Sequence, residues 1–211
     1  MMELTEKQKN KLLNREYRSM TMQIAKSDEN EKIVQGYAST FNQEYTLYEG
    51  RSYKVVEVID PHAFDECDMQ DVIFQYDHRG RVFARTRNKT LEVSIDSYGL
   101  FMKANLGGTD IGNQLFQEIQ GGYTDRMSFG FVVSEDVKTY TTDHEKGIEI
   151  CTRRITKVSK LYDVSAVSIP ANDMTTISAR NFSDGVIADF EAERLKRAKE
   201  KVKLKIKMME V

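Results

Sequence analysis

A chain of 211 residues, 40% hydrophobic and 30% charged, is long enough for one domain with a sizeable core and too short for two ordinary domains and a linker. A formal net charge of -2 supplies no global basic field, which argues against nucleic acid as the main partner. The mixed-charge stretch Glu3 to Arg18 and the lack of any long apolar run read as neither a signal peptide nor a membrane span, so the protein is expected to stay in the compartment where it is made.

From Thr5 to Met20 the sequence is polar and helix-permissive, and residues 1–30 read as an N-terminal extension, with a loosely held helix as one possibility. The folded part is expected to begin with the β-type run Ile33 to Ala38, followed by a polar loop and a second run, Tyr53 to Ile59. Asp60-Pro61 is a helix-start signal, because Asp can cap and Pro suits the first helical position. Val72-Ile73-Phe74 with Tyr76 is a further β run, ended at Asp77-His78-Arg79-Gly80, where the glycine marks a turn. Leu91, Val93 and Ile95 alternate with polar residues, as do Phe129, Phe131 and Val133, and the segment Asp163 to Ser168 alternates in the same way.

Between these β runs, Asp110 to Gln120 is an amphipathic helix with Ile111, Leu115, Phe116 and Ile119 on one face, Thr109 or Asp110 as cap and Gly121-Gly122 as stop. About six or seven strands indicate a mainly β domain with helices (α+β), a barrel or sandwich, over residues 31–182. Residues 183–211 form a charged tail, helix-favouring around Asp189 to Leu195, whose final Lys201 to Met208 alternates Lys with apolar residues and could be strand or helix.

Cys67 and Cys151 have neither metal-ligand spacing nor the density of a disulfide scaffold and read as free thiols in a reducing compartment. Three histidines are candidates for acid-base chemistry: His62 after Pro61, His78 before a glycine turn, and His144 in a polar hairpin loop. Ser128 and Gly130 lie opposite the Phe129/Phe131 face, which leaves room for a substrate backbone, although the residues alone favour a bulge or close-packed strand with Ser128 as merely a small residue in it. Asp163 is a poor β former in a β context, so it needs a partner, either a cation such as Arg153, Arg154 or Lys160, or a histidine that it orients.

Several short motifs carry a resemblance in their order and spacing. They are Gly36-Tyr37-Ala38 with Phe41, Val58 to Phe64 around Asp60-Pro61-His62, Asp77-His78, Ser97-Tyr98-Gly99-Leu100, Met127-Ser128-Phe129-Gly130-Phe131, and Leu161-Tyr162-Asp163-Val164-Ser165 with Pro170-Ala171-Asn172. Together, over about Ile33 to Arg180, the chain resembles the tailed-phage prohead (capsid maturation) serine proteases, which are similar in fold to the herpesvirus assemblins. The resemblance implies a closed β-barrel ringed by helices, with Ser128 as nucleophile, His78 as general base and Asp163, where relatives often carry Glu, as the orienting acid. It implies backbone N–H groups near Ala171 and Asn172 as the oxyanion site, and no metal or cofactor.

The implied substrates are the scaffold or delta segment of the major capsid protein, other prohead proteins and the protease itself. The implied setting is the immature capsid in the bacterial cytoplasm, with self-association into a dimer or higher oligomer and no membrane or nucleic-acid partner. Two other readings of the same residues are a non-catalytic scaffold or capsid-assembly protein on the same barrel, and a Cys67 or Cys151 nucleophile served by His78.

Overall fold

The structure is a computed structural model and describes residues 15–21, 23–24, 32–168 and 177–209. In chain order the strands are β1 (Glu16–Thr21), β2 (Gln23–Ile24), β3 (Ile33–Thr40), β4 (Glu44–Glu49), β5 (Tyr53–Ile59), β6 (Ile73–Tyr76), β7 (Arg79–Arg85), β8 (Leu91–Ile95), β9 (Gly99–Asn105), β10 (Arg126–Asp143) and β11 (Ile148–Val167). The helices are α1 (Asp110–Gln120) and α2 (Ile177–Met209).

The strands form two separate sheets. One has 7 strands, with β1-β10-β11-β5-β4 in line and β6 and β7 attached beside the last part of β11. The other has 4, in the order β2-β3-β9-β8. No described strand of one sheet pairs with the other, so the closed barrel expected from the resemblance is not found and the sheets are open. The physical reason lies in how the core is covered. Val34, Ala38, Leu91, Leu100, Met102 and Ala104 of the smaller sheet meet Phe74, Met127, Phe129, Phe131, Val164 and Ala166 of the larger one in a single buried cluster. Leu115 and Ile119 of α1 join that cluster, so apolar cover comes from face-to-face packing and a helix, without a continuous strand ladder.

The β10–β11 hairpin is the spine of the larger sheet. Its turn is held by Asp143, whose Oδ1 accepts from the N–H groups of Glu145 and Lys146 at 3.0 Å each, and Gly147 takes the left-handed conformation, φ 66°. Along one edge β11 pairs in parallel first with β5, through Glu149 to Ile155, and then with β6, through Asp163 to Ala166. Register shifts between Gly130 and Phe131 and again near Val133 bend the hairpin where its faces change from wholly buried to half exposed.

Three local expectations change. The helix-permissive N-terminal segment ends in strand β1, which pairs antiparallel with β10, and the segment after Asp60-Pro61 makes successive i to i+3 turns (Asp60 to Ala63, His62 to Asp65, Phe64 to Cys67) where a helix was expected. The strand count rises because β1, β2, β4, β7 and β9 add to the expected runs; of these, the edge strands β4 and β7 carry little apolar face of their own. α1 follows its sequence signals: Thr109 Oγ1 accepts from Gly112 N–H at 3.1 Å, and Gly121 and Gly122 N–H groups close on the Gln117 and Ile119 carbonyls.

The last segment, which alternates Lys with apolar residues, is helical, since α2 runs to Met209. Among the described side chains, α2 docks on the larger sheet through one buried anchor. Phe190 is wholly buried with Tyr53, Val55 and Cys151, its ring 5.1 Å from that of Tyr53 and 5.9 Å from that of Tyr140. Around it Tyr53 Oη donates to Glu191 at 2.5 Å, Lys138 pairs with Glu193, and Arg194 and Arg197 both reach Glu149. Phe190→Ala removes the one buried side chain that α2 contributes among the described residues, and the expected cost is about 3 kcal/mol. The result should be a lower urea midpoint and fast amide exchange from Glu191 to Arg197; unchanged exchange there would show that the ionic contacts suffice.

Candidate active site

The neighbourhood of Ser128 follows from strand register. On β10, Met127, Phe129 and Phe131 face the core, so Ser128 and Gly130 face the other side. Ser128 lies directly opposite Ser165 of β11 on one side and Ser19 of β1 on the other, and Gly130 lies opposite Asp163. Ser128 and Asp163 are therefore diagonal neighbours on one face, roughly 7 to 8 Å apart in a regular antiparallel ladder. Gly130 contributes no side chain to the space between them.

His78 reaches this face from the next strand. β6 lies beside β11 with Ile73 opposite Asp163 and Tyr76 opposite Ala166, so the β6–β7 turn falls at the end of β11. That turn is Asp77-His78 itself, two residues before the glycine, and Tyr76 pairs with Arg79 across it. Both turn residues are left-handed, with φ 47° and 56°, a conformation usually given to Asn-Gly. His78 Nδ1 lies 2.6 Å from Asp163 Oδ2 and 3.2 Å from Oδ1.

The acid is enclosed: the Asp163 side chain is 2% exposed and that of His78 17%. Ser165 Oγ donates weakly to Asp163 Oδ2 at 3.4 Å. Ser128 is buried, and its Oγ has no hydrogen-bond partner among the described residues. The pair His78–Asp163 is thus formed, while no hydrogen bond joins it to Ser128. Unliganded sites commonly hold such contacts long until substrate closes them.

The other histidines are differently placed. His62 is largely exposed and pairs with Asp65 at 3.0 Å, and His144 is exposed in the β10–β11 turn. Of the three, His78 alone meets a buried carboxylate among the described residues. Ala171 and Asn172 lie outside the described residues. The cysteines do not assemble with His78: burial pushes the Cys67 thiol up to about 11 and also raises that of Cys151, which lies under Phe190. Neither thiol is poised as a thiolate at neutral pH.

Two features escaped the sequence reading. Asp77 ties the His78 turn to the end of β11: its N–H donates to the Ala166 carbonyl at 2.9 Å, and its carboxylate accepts from Ser168 N–H at 3.0 Å and from Ser168 Oγ. The second is the pairing of β1 beside Ser128, secured from within the sheet. Arg18 Nε and Nη2 donate to both oxygens of Glu57, at 2.5 and 2.6 Å, and Arg153 donates to Glu57, Glu16 and Asp136. Adjacent Asp-His at a hairpin centre could have signalled the first; a lone Arg in a polar segment gave no signal for the second.

A serine, a histidine and a buried acid gathered on one sheet face are the side chains that serine hydrolases of the Ser-His-Asp kind employ. Comparison with known sequences defines the class further: the family of caudovirus prohead serine proteases matches residues 20–186. The chain belongs to that family, the bacteriophage proteases of capsid maturation. No curated protein sequence matches it. Among solved structures it is similar to the capsid assembly protease of bacteriophage T4, at 11% identity and a TM-score of 0.38, over 74% of this chain and 99% of that one.

Proposed function

We propose that this protein is the endopeptidase that trims the scaffold or delta segment of the major capsid protein, other prohead proteins and its own termini, working inside the immature capsid in the host cytoplasm. Ser128 is the nucleophile, His78 the general base and Asp163 the orienting acid. The observation that carries this reading is the 2.6 Å contact between His78 Nδ1 and the buried Asp163 carboxylate, one diagonal ladder step from Ser128.

The chemistry follows from that contact. With Nδ1–H donated to Asp163, Nε2 is the acceptor nitrogen of the neutral ring and takes the Ser128 proton as Oγ attacks the scissile carbonyl. Asp163 stabilises the imidazolium that results, which then gives its proton to the leaving amine. Water, deprotonated by the same Nε2, releases the acyl-enzyme. The tetrahedral oxyanion needs backbone donors, assigned here to the segment of Ala171 and Asn172. Self-association would make activity depend on local concentration, which rises on packaging.

Intact mass after treatment of the concentrated protein with a fluorophosphonate tests the assignment, since only an activated serine reacts readily. One adduct is expected in the wild type and none in Ser128→Ala. An adduct that persists in Ser128→Ala would place the nucleophile elsewhere, and no adduct in either would favour a non-catalytic assembly protein.

A further inference from the structure

α2 has two halves of opposite character. From Phe190 to Arg197 it is fixed to the sheet by Phe190 and the ion pairs around it; from Ala198 to Met209 every residue is exposed. That second half extends about 18 Å beyond the anchor at 1.5 Å per residue. It holds large apolar side chains in solvent: Val202, Leu204, Ile206, Met208 and Met209 are 52% to 85% exposed. At 100° per residue, Leu195, Ala198, Val202, Ile206 and Met209 fall within about 80° of one another, a narrow seam of coiled-coil width.

Charge defines what can cover this seam. Between Ala198 and Met209 there are five lysines against Glu200 alone, a local charge of +4, which leaves -6 for the remainder of a chain whose net charge is -2. None of these lysines pairs with a carboxylate among the described residues. Lys199 and Lys205 flank the seam at about 60° on either side, the positions that choose a partner helix by charge. A second copy would set lysine against lysine. A membrane surface needs one broad apolar face, whereas Leu204 and Met208 lie about 160° and 120° round the helix from Val202 at 100° per residue, with lysines between. The chain's own segments fit poorly as cover: residues 1–14 carry Glu3 and Glu6 against Lys7, Lys9 and Lys11 and are not acidic, the acidic residues 25–31 (Asp28, Glu29 and Glu31 against Lys26) hold no large apolar side chain for a stripe, and residues 169–176 have Asp173 as their one acid and contain Pro170.

We infer that the arm Ala198–Met209 is a docking helix for another protein that presents an acidic amphipathic helix, its apolar stripe on Val202 and Ile206 and its carboxylates on Lys199 and Lys205.

The test uses the full chain and a synthetic 21-residue peptide with leucines at alternating three- and four-residue spacing flanked by glutamates, followed by fluorescence anisotropy. Val202→Ser/Ile206→Ser should weaken binding at least tenfold, and Lys199→Glu/Lys205→Glu should abolish it while creating affinity for the same peptide with lysine flanks. Thermal midpoints should not change, because the arm is exposed. Equal binding of a scrambled peptide, no binding of either, dimerisation through the arm in sedimentation equilibrium, or tighter binding to duplex DNA or anionic vesicles would each overturn the inference.

A second inference comes from the His78 turn and rests on the reading of His78 as general base. Two consecutive non-glycine residues with φ 47° and 56° are held in the left-handed region against their local preference. What opposes it is Asp77, bonded through backbone and carboxylate to Ala166 and Ser168 at the end of the Asp163 strand. The geometry assigns Asp77 as a positioning residue that sets the His78 ring against Asp163. In Asp77→Ala the rate of fluorophosphonate labelling of Ser128 should fall at least tenfold at unchanged thermal midpoint, and Asp77→Asn, which still accepts from Ser168 N–H, should restore it to within threefold. Equal labelling in Asp77→Ala overturns the positioning role, whereas failure of the wild type to label at all overturns the catalytic reading instead.

Discussion

On the proposed triad, Asp163→Asn is expected to lower kcat on the proposed capsid-protein substrate by about four orders of magnitude while leaving the fold intact, as loss of the orienting acid does in Ser-His-Asp hydrolases. The amide that replaces the carboxylate can present its N–H to His78 Nδ1, which then accepts. The ring proton moves to Nε2, and the nitrogen that should take the Ser128 proton becomes a donor. The geometry makes the substitution informative, because the His78–Asp163 contact is 2.6 Å long and Asp163 is almost fully enclosed. A purely structural Asp-His pair would give a different result: a lower unfolding midpoint with kcat nearly unchanged. Steady-state kinetics and urea unfolding on the same preparation separate the two.

Glu57→Ala is expected to cost about 3 to 5 kcal/mol, because it removes the central acid from between two buried guanidinium groups. Glu57 is wholly buried on β5 and accepts from Arg18 of β1 and Arg153 of β11. The loss should appear in the urea midpoint and, more locally, as faster amide exchange in β1, since Arg18 adjoins the residue opposite Ser128. A cost below about 1 kcal/mol would mean that the arginines are solvated and that β1 is held by its ladder alone.

The same network gives a pH dependence of stability. Burial would raise the Glu16 carboxyl, but Arg18 and Arg153 outweigh it and hold it below its ordinary 4.5. A carboxyl depressed in the folded state contributes fully above its unfolded value and loses that contribution as the pH falls through the folded one. Acid should therefore loosen the attachment of β1 as Glu16 protonates.

Where local order is strong, sequence and structure agree. α1 is legible to the residue because its cap, its apolar face and its glycine stop are all within one short segment. Strands with a clear apolar alternation, such as Leu91 to Ile95 at one edge of the smaller sheet, are legible for the same reason. Edge strands without that alternation are not. β4 and β7 are held by pairing with β5 and β6, and their exposed, charged residues carry no period of their own. β1 is the extreme case, since its strand conformation depends on β10 and on a buried cluster whose other members lie 39 or more positions away in the chain. The turns after Asp60 also follow tertiary demand, with Val158 N–H donating to the Ala63 carbonyl and Asp60 N–H to that of Ile155.

The sequence by itself determined the domain's β character, helix α1, and the order and spacing of motifs that mark the prohead protease family, because these are local or linear properties of the chain. Only the tertiary structure decided that the two sheets stay open, that His78 sits within a strained turn, and that this turn delivers it to Asp163, 85 positions away. Those outcomes depend on which strand edges meet and in what register, and pairing between distant segments leaves no periodic trace in either segment alone.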